Sequence, residues 1–295
     1  MKNGKKKVAV HPQELRDFAE ARGRSAVFLF LPESLELVNV YQLQLLLEDR
    51  SFRELDIVIH SGGGDVNAAY QICNLLRNRT KRLTACVPFF AKSAATLLCI
   101  GADEMVLGEL AELGPLDTQI LETKRGGKRG FTSALNPFKT LEQLQRFSLE
   151  TLDLAVKMIA ERSGMGLDEC LRHATEFVKV TTDPLFRQLD PEKLGEYSRA
   201  LSIGKDYGDR LLRRFARWEE DKRAEVLDRL VYRYPSHDYA INCAELQEMG
   251  FQARYFDGKE RQAAKGFVNL IGQRAQVVEL VSLPETADTG AVTPS

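Results

Sequence analysis

The stretch IVIHSGGGDVNAAYQICNLL, Ile57 to Leu76, constrains the fold more than any other part of the chain. A run of β-branched residues stops at a polar pair, crosses Gly62, Gly63 and Gly64, and resumes with helical periodicity. A strand end followed by glycines and a helix N-terminus presents backbone N–H groups that nothing inside the element can satisfy. Without Cβ atoms, the glycines also let a ligand approach the backbone closely. Such a nest suits either a phosphate or a developing oxyanion. The phosphate alternative fits poorly, because no GxxxxGK pattern is present and HSGGGD is not GxGxxG. A plain tight turn is the remaining alternative for this segment alone.

The neighbouring segments repeat the strand-to-helix alternation. Ser25 to Leu31 reads as a buried strand, Glu33 to Leu47 as an amphipathic helix and Leu55 to His60 as the next strand. Asp65 to Arg77 reads as a helix whose Asp65 caps its own start. Leu83 to Val87 is a third strand, Ser93 to Ile100 a short apolar helix and Glu104 to Leu107 a fourth strand. This spacing implies βαβ units, a mainly parallel sheet and an α/β fold class. The longest apolar run, LTACVPFFAKSAATLLCIG, has the length of a membrane span. Pro88 interrupts it and Lys92 and Ser93 sit at its centre, where a charge is costly in lipid, so it reads as a buried strand and helix. The basic N-terminus, MKNGKKK, leads into no signal-peptide apolar region. A soluble, cytoplasmic protein is the expectation.

From about Pro137 the pattern becomes helical. PFKTLEQLQRFSLETLDLAVKMIAERSG ends at Gly164, and DECLRHATEFVKV and GDRLLRRFARWEEDKRAEVLDRLV continue as helices. Between Lys205 and Arg229 eight basic residues interleave with seven acidic ones, which marks a solvated helix face and not a nucleic-acid groove. CAELQEMGFQARYF reads as a helix stopped at Gly250 and followed by a short strand. The layout expected is an N-terminal extension (1–24), an α/β core (25–136), a helical segment (137–235), a return to the core (236–283) and a disordered tail (284–295). With 41 basic and 42 acidic residues, the chain carries no charge excess for nucleic acid or a membrane surface. Its five cysteines are scattered and odd in number, with no CxxC, and read as reduced thiols. No metal site and no cofactor are expected.

Ser93 follows a strand and opens a helix of small residues. Ala91, Ala94 and Ala95 would let a substrate carbonyl come near its hydroxyl, with the Ala94 N–H beside it. A serine there is more often only a helix cap. Here it arrives one βα unit after the triple-glycine turn. SGGGDVNAAYQICNLL followed by AKSAATLLCIGADEMVLGELAELGPLDTQ resembles the Clp-protease-like serine peptidase superfamily. The likeness is nearest to its serine dehydrogenase proteinase branch, relatives of signal peptide peptidase A. YPSHDYAINCAELQEMG resembles that branch too, and the likeness runs with gaps from about Ala26 to Phe256. The resemblance implies a Clp/crotonase-like core, Ser93 as nucleophile on a peptide or protein substrate, and ring-like homo-oligomers. It also implies an oxyanion hole from backbone N–H groups at Gly64 and Ala94, with Gly63 beside them.

The general base departs from that pattern. The proteolytic subunit of Clp carries its histidine in the region that here reads GPLDTQ, where Leu116, Asp117 and Thr118 stand. A site with Asp117 and His237 in exchanged positions would keep a Ser–His–Asp constellation, which geometry and not chain order defines. Lys139, 46 residues beyond the serine, would suit a Ser–Lys dyad if desolvated. Lys92 is adjacent to Ser93 in the chain, and neighbouring side chains on a turn diverge. His60 closes the strand beside the glycines, whereas His11 and His173 read as surface and structural residues. The KRGGKRG loop, Lys124 to Gly130, reads as a surface turn. Two other functions compete with the peptidase: a crotonase-type acyl-CoA enzyme, which needs no serine at position 93, and a non-catalytic assembly subunit.

Overall fold

The computed structural model of the protein describes residues 12–24, 26–30, 32, 34–117, 119–123, 129–272 and 278–282. The chain divides into two compact units: residues 1–117 with 203–295, and residues 118–202.

The first unit opens with α1 (Pro12–Arg22), β1 (Ala26–Phe30), α2 (Leu37–Leu46), β2 (Phe52–Ile59), α3 (Val66–Arg79) and β3 (Thr80–Val87). A two-residue strand, β4 (Phe90–Ala91), leads into α4 (Ala94–Ile100), β5 (Glu104–Leu107) and a second short strand, β6 (Glu112–Leu113). The second unit holds the hairpin β7 (Gln119–Thr123) and β8 (Arg129–Ser133), then α5 (Asn136–Ser163), α6 (Leu167–Phe186) and the start of α7 (Pro191–Leu211). The chain returns to the first unit through α8 (Glu220–Asp228), α9 (Cys243–Glu248), β9 (Ala253–Tyr255), α10 (Gly258–Gly272) and β10 (Val278–Ser282).

Six strands form one sheet in the order β10-β1-β2-β3-β5-β9. All neighbours in it run parallel except β10, which pairs antiparallel with β1 at the edge. The strands read from the sequence at Leu55 and Leu83 are adjacent, with Leu55 opposite Leu83 and Val58 opposite Cys86. The last five residues of β2 and of β3 are buried, as both faces of a helix-covered parallel sheet must be. On one face Val58, Cys86 and Val106 join Leu15, Phe18 and Ala19 of α1 and Phe267 of α10 in one apolar cluster. Ala68, Ala69, Ile72, Cys73 and Leu76 form the buried stripe of α3, capped by the Asp65 carboxylate, which accepts from the Asn67 and Ala68 N–H groups.

Charge penetrates this core in paired form. Arg22 Nε donates to the fully buried Asp56 carboxylate at 2.5 Å, and Arg22 also pairs with Glu260. Arg24 reaches Asp56 at 2.9 Å and Glu54 at 2.8 Å, and Arg254 reaches Glu260 at 2.7 Å. Buried charges persist only when matched like this. Burial pushes the Glu260 carboxyl up, but donors from Arg254, the Asp257 backbone and Arg22 outweigh it and hold the group at about 2.

Several elements differ from the sequence reading. The sequence pattern predicts neither α1 nor α10 and β10, nor the β7–β8 hairpin. The helix expected over Gly208 to Val231 is broken: α7 ends in a π-helical turn at 212–216, and Arg217 turns left-handed with φ 54°. The break lets the Trp218 ring pack on Phe251 at 4.8 Å and accept the Lys222 ammonium over its face at 4.1 Å. α5 ends at Gly164, left-handed with φ 68°, where the sequence stops it. Residues 124–128 of the KRGGKRG loop, His11 and the segment after Pro284 lie outside the described residues.

Candidate active site

The glycine turn and the Ser93 turn are built against each other. β2 runs into the glycines, and Ser61 ties them to β4: its N–H donates to the Phe90 carbonyl at 3.3 Å and its carbonyl accepts from the Lys92 N–H at 3.0 Å. The Ser61 hydroxyl, itself buried, accepts from the Gly63 N–H at 3.3 Å. Gly63 has φ 109°, and a Cβ added there would stand 2.8 Å from Ser93 Cβ and 3.3 Å from Ala94 N. Only a glycine permits both that conformation and that approach. On the other side, the Leu35 N–H donates to the Gly63 carbonyl at 2.7 Å and the Asp65 N–H to the Leu35 carbonyl at 2.8 Å. This is a parallel bridge of Leu35 to Gly64, so the N–H of Gly64 (φ 136°) points away from Leu35. Among the described residues neither the Gly64 nor the Ala94 N–H donates a hydrogen bond.

Ser93 itself is strained. It has φ 51° and ψ −122°, caps nothing with its side chain and is 8% exposed. Non-glycine residues hold such a backbone only where surrounding contacts impose it. Those contacts include Thr96, which the sequence pattern alone does not single out. Its buried hydroxyl lies 2.8 Å from the carbonyl oxygens of both Ala91 and Gly114, which fastens the Ser93 turn to the GPLD segment. β4 pairs with β6 (Ala91 opposite Leu113), and the Gly114 N–H donates to the Ala91 carbonyl at 3.1 Å. The signal for Thr96 and Ser61 is a hydroxyl residue within an otherwise apolar or glycine-rich turn.

Asp117 and His237 meet. His237 Nδ1 lies 2.8 Å from Asp117 Oδ1, and both side chains are largely buried, at 11% and 3% exposure. The segment that brings His237 in is pinned by paired backbone bonds between Leu113 and Ile241, each 2.9 Å, and by the Leu116 N–H donating to the Leu230 carbonyl at 2.8 Å. Thus the strips carrying Ser93, Asp117 and His237 are hydrogen-bonded to one another within a single unit.

The other candidate bases stand differently. Burial pushes His60 down to about 4, its ring lies 4.0 Å from that of Phe90, and its buried Nδ1 has no partner among the described residues. A histidine so weakly basic is poorly matched to proton abstraction at neutral pH. Lys139 belongs to the second unit, 44% exposed and 3.4 Å from Glu142, not in the desolvated setting a lysine base requires. His173 is exposed on α6. All five cysteines are free and buried, and burial raises the Cys73 thiol to about 12. Among the described residues no group of His, Cys, Asp and Glu could hold a metal ion, and no helix is long and apolar enough to cross a membrane.

Residues 43–129 match the family of ClpP-like SDH-type serine proteinases. That stretch contains the Gly-rich, serine and GPLD segments, so the resemblance read from them holds, and the α/β core is Clp-like. Two uncharacterized proteins of Methanocaldococcus jannaschii are similar, one 38% identical over 68 residues and the other 31% identical over 93 residues. Those stretches cover 23% and 32% of this chain but 24% and 30% of the two relatives, so the match spans less than a third of either. A solved structure of a mutant 1510-N membrane-bound stomatin-specific protease with a substrate peptide is 17% identical, covering 49% of this chain and 64% of that one, with a TM-score of 0.30.

Proposed function

We propose that the protein is a serine peptidase that cleaves peptide bonds through an acyl-enzyme on Ser93. Ser93 Oγ attacks the scissile carbonyl while His237 Nε2 takes its proton. The oxyanion accepts hydrogen bonds from the Gly64 and Ala94 N–H groups, beside Gly63. Collapse of the tetrahedral intermediate returns the proton from His237 to the leaving amine, and water then hydrolyses the ester by the same proton route. Asp117 orients the ring. A carboxylate can only accept, so it fixes the proton on Nδ1 and leaves Nε2 free to act as base.

The observation that carries this reading is the 2.8 Å contact of His237 Nδ1 with Asp117 Oδ1 on strips bonded to the Ser93 turn. Two backbone N–H groups without partners among the described residues, beside a strained serine, support the oxyanion assignment. Peptide or protein substrates follow from the family of residues 43–129. Free cysteines support a reducing, cytoplasmic setting. Homo-oligomerisation is supported by α5, which buries no residue yet carries Phe147, Leu154 and Met158 exposed on one face. The test is hydrolysis of a fluorogenic peptide library. Wild-type protein should cleave members of it and Ser93→Ala should cleave none; equal turnover by both would overturn the peptidase.

A further inference from the structure

Lys92 stands next to the proposed nucleophile in the chain, but its side chain runs the other way, to the loop that carries His237. Its Nζ lies 3.2 Å from the Tyr239 carbonyl oxygen, 3.4 Å from that of Asp238 and 2.5 Å from Glu112 Oε1. An ammonium has three donors, and these three acceptors use them all. The path of the stem is itself built. A Cβ at Gly114 would lie 2.6 Å from Lys92 Cδ and 3.2 Å from both its Cα and its Cβ, so a side chain there would displace the lysine.

The loop from Pro235 to Ala240 has little else to hold it. Within it, Ser236 accepts from the Asp238 and Tyr239 N–H groups, each at 3.2 Å, which shapes the turn without fixing its position. Among the described residues, its hydrogen bonds to the rest of the chain are His237 with Asp117 and the two carbonyls with Lys92. Tyr239 packs on Tyr234 at 4.7 Å, and Ile241, the first residue after the loop, is bonded to Leu113.

We propose that Lys92 is a positioning residue: anchored by Glu112 and given room by Gly114, it holds the His237 loop against the Ser93 turn. This rests on His237 as the base of the proposed peptidase. Lys92 acts through the loop backbone and takes no proton. Displacing a catalytic group by about 1 Å costs about 100-fold in rate, which sets the scale of the effect.

The test compares Lys92→Met, which keeps the stem and loses the donors, with Lys92→Arg, which keeps a charged donor and cannot serve as a base. The readouts are the rate of Ser93 labelling by a fluorophosphonate and hydrogen exchange of the amides from His237 to Ile241. Lys92→Met should label about 100-fold more slowly and exchange faster in that loop, and Lys92→Arg should recover most of both. Should Lys92→Met fail to fold, Glu112→Gln should give a smaller loss in the same direction. Wild-type labelling in Lys92→Met, with His237→Ala inactive, overturns this inference and leaves the peptidase reading standing. A Lys92→Arg protein as slow as Lys92→Met, with unchanged loop exchange, also overturns it and points to lysine as base. Unimpaired labelling of His237→Ala removes the base assignment itself, and this inference with it.

Discussion

His237 Nδ1 and Asp117 Oδ1 stand 2.8 Å apart although 120 residues separate them in the chain. The contact joins a loop that follows a second π-helical turn, at Arg229–Arg233, to a segment that follows the two-residue strand β6, elements with little independent stability. A hydrogen-bonded pair closed over that distance is maintained by backbone bonds on both sides, from Leu113 to Ile241 and from Leu116 to Leu230.

Asp117→Asn should therefore lower turnover by about 10,000-fold, the scale seen when an orienting carboxylate becomes an amide. The amide can donate to Nδ1, which moves the imidazole proton to Nε2 and removes the lone pair that Ser93 needs. Circular dichroism should show an unchanged fold, and steady-state kinetics should show the loss in kcat more than in KM.

Gly63→Ala should disrupt the site and destabilise the unit. The new Cβ would meet Ser93 Cβ at 2.8 Å and the Lys92 carbonyl at 2.9 Å, at a backbone φ of 109°. Overpacking and strain each cost about 1–3 kcal/mol. Gly23→Ala is the contrast: φ is 62° but an added Cβ meets no other described residue within 4 Å, so the cost is the left-handed term alone, about 1–2 kcal/mol. Denaturant melts of the two variants measure the difference.

The strand–glycine–helix turn, the Ser93 turn and the parallel order of β2, β3 and β5 were legible because each follows from local periodicity and from glycine at a strand mouth. His237 with Asp117 was reachable only through the resemblance and the idea of exchanged positions, since nothing local to either residue names its partner. α1 and α10 carry no such local signal because their reason is tertiary: Phe18 and Phe267 cover a sheet face that no pattern in their own segments announces. The break at Arg217 is hidden likewise, since the packing of Trp218 on Phe251 overrides a continuous helical pattern.

Stability should fall as pH drops from about 6.5 to 4, in part through His60. Burial lowers this group from 6.5 to about 4, so across that window the unfolded chain binds a proton that the folded one refuses. His60→Phe, which keeps the ring against Phe90, should flatten this part of the stability profile.

Below that window a second group takes over. Glu260 is held from 4.5 down to about 2, so its stabilisation is complete above about 4.5 and lost as pH falls towards 2. Glu260→Gln should remove this acid limb and lower stability at neutral pH, since Arg22 and Arg254 lose their charged partner. Thermal melts across pH 2–7 distinguish the two variants.

Leu154→Glu should weaken self-association without unfolding the chain, because Leu154 is exposed on α5 between Phe147 and Met158. Light scattering on dilution should show wild-type oligomers and dissociation of the variant; a wild-type monomer at micromolar concentration would remove the assembly proposal.

The most direct test of the account is covalent labelling by a fluorophosphonate, read by mass spectrometry of the whole chain and its peptides. The account predicts one adduct per chain, on Ser93, abolished in Ser93→Ala and slowed by several orders of magnitude in His237→Ala. Wild-type protein that remains unlabelled, or an adduct on a residue other than Ser93, would contradict it.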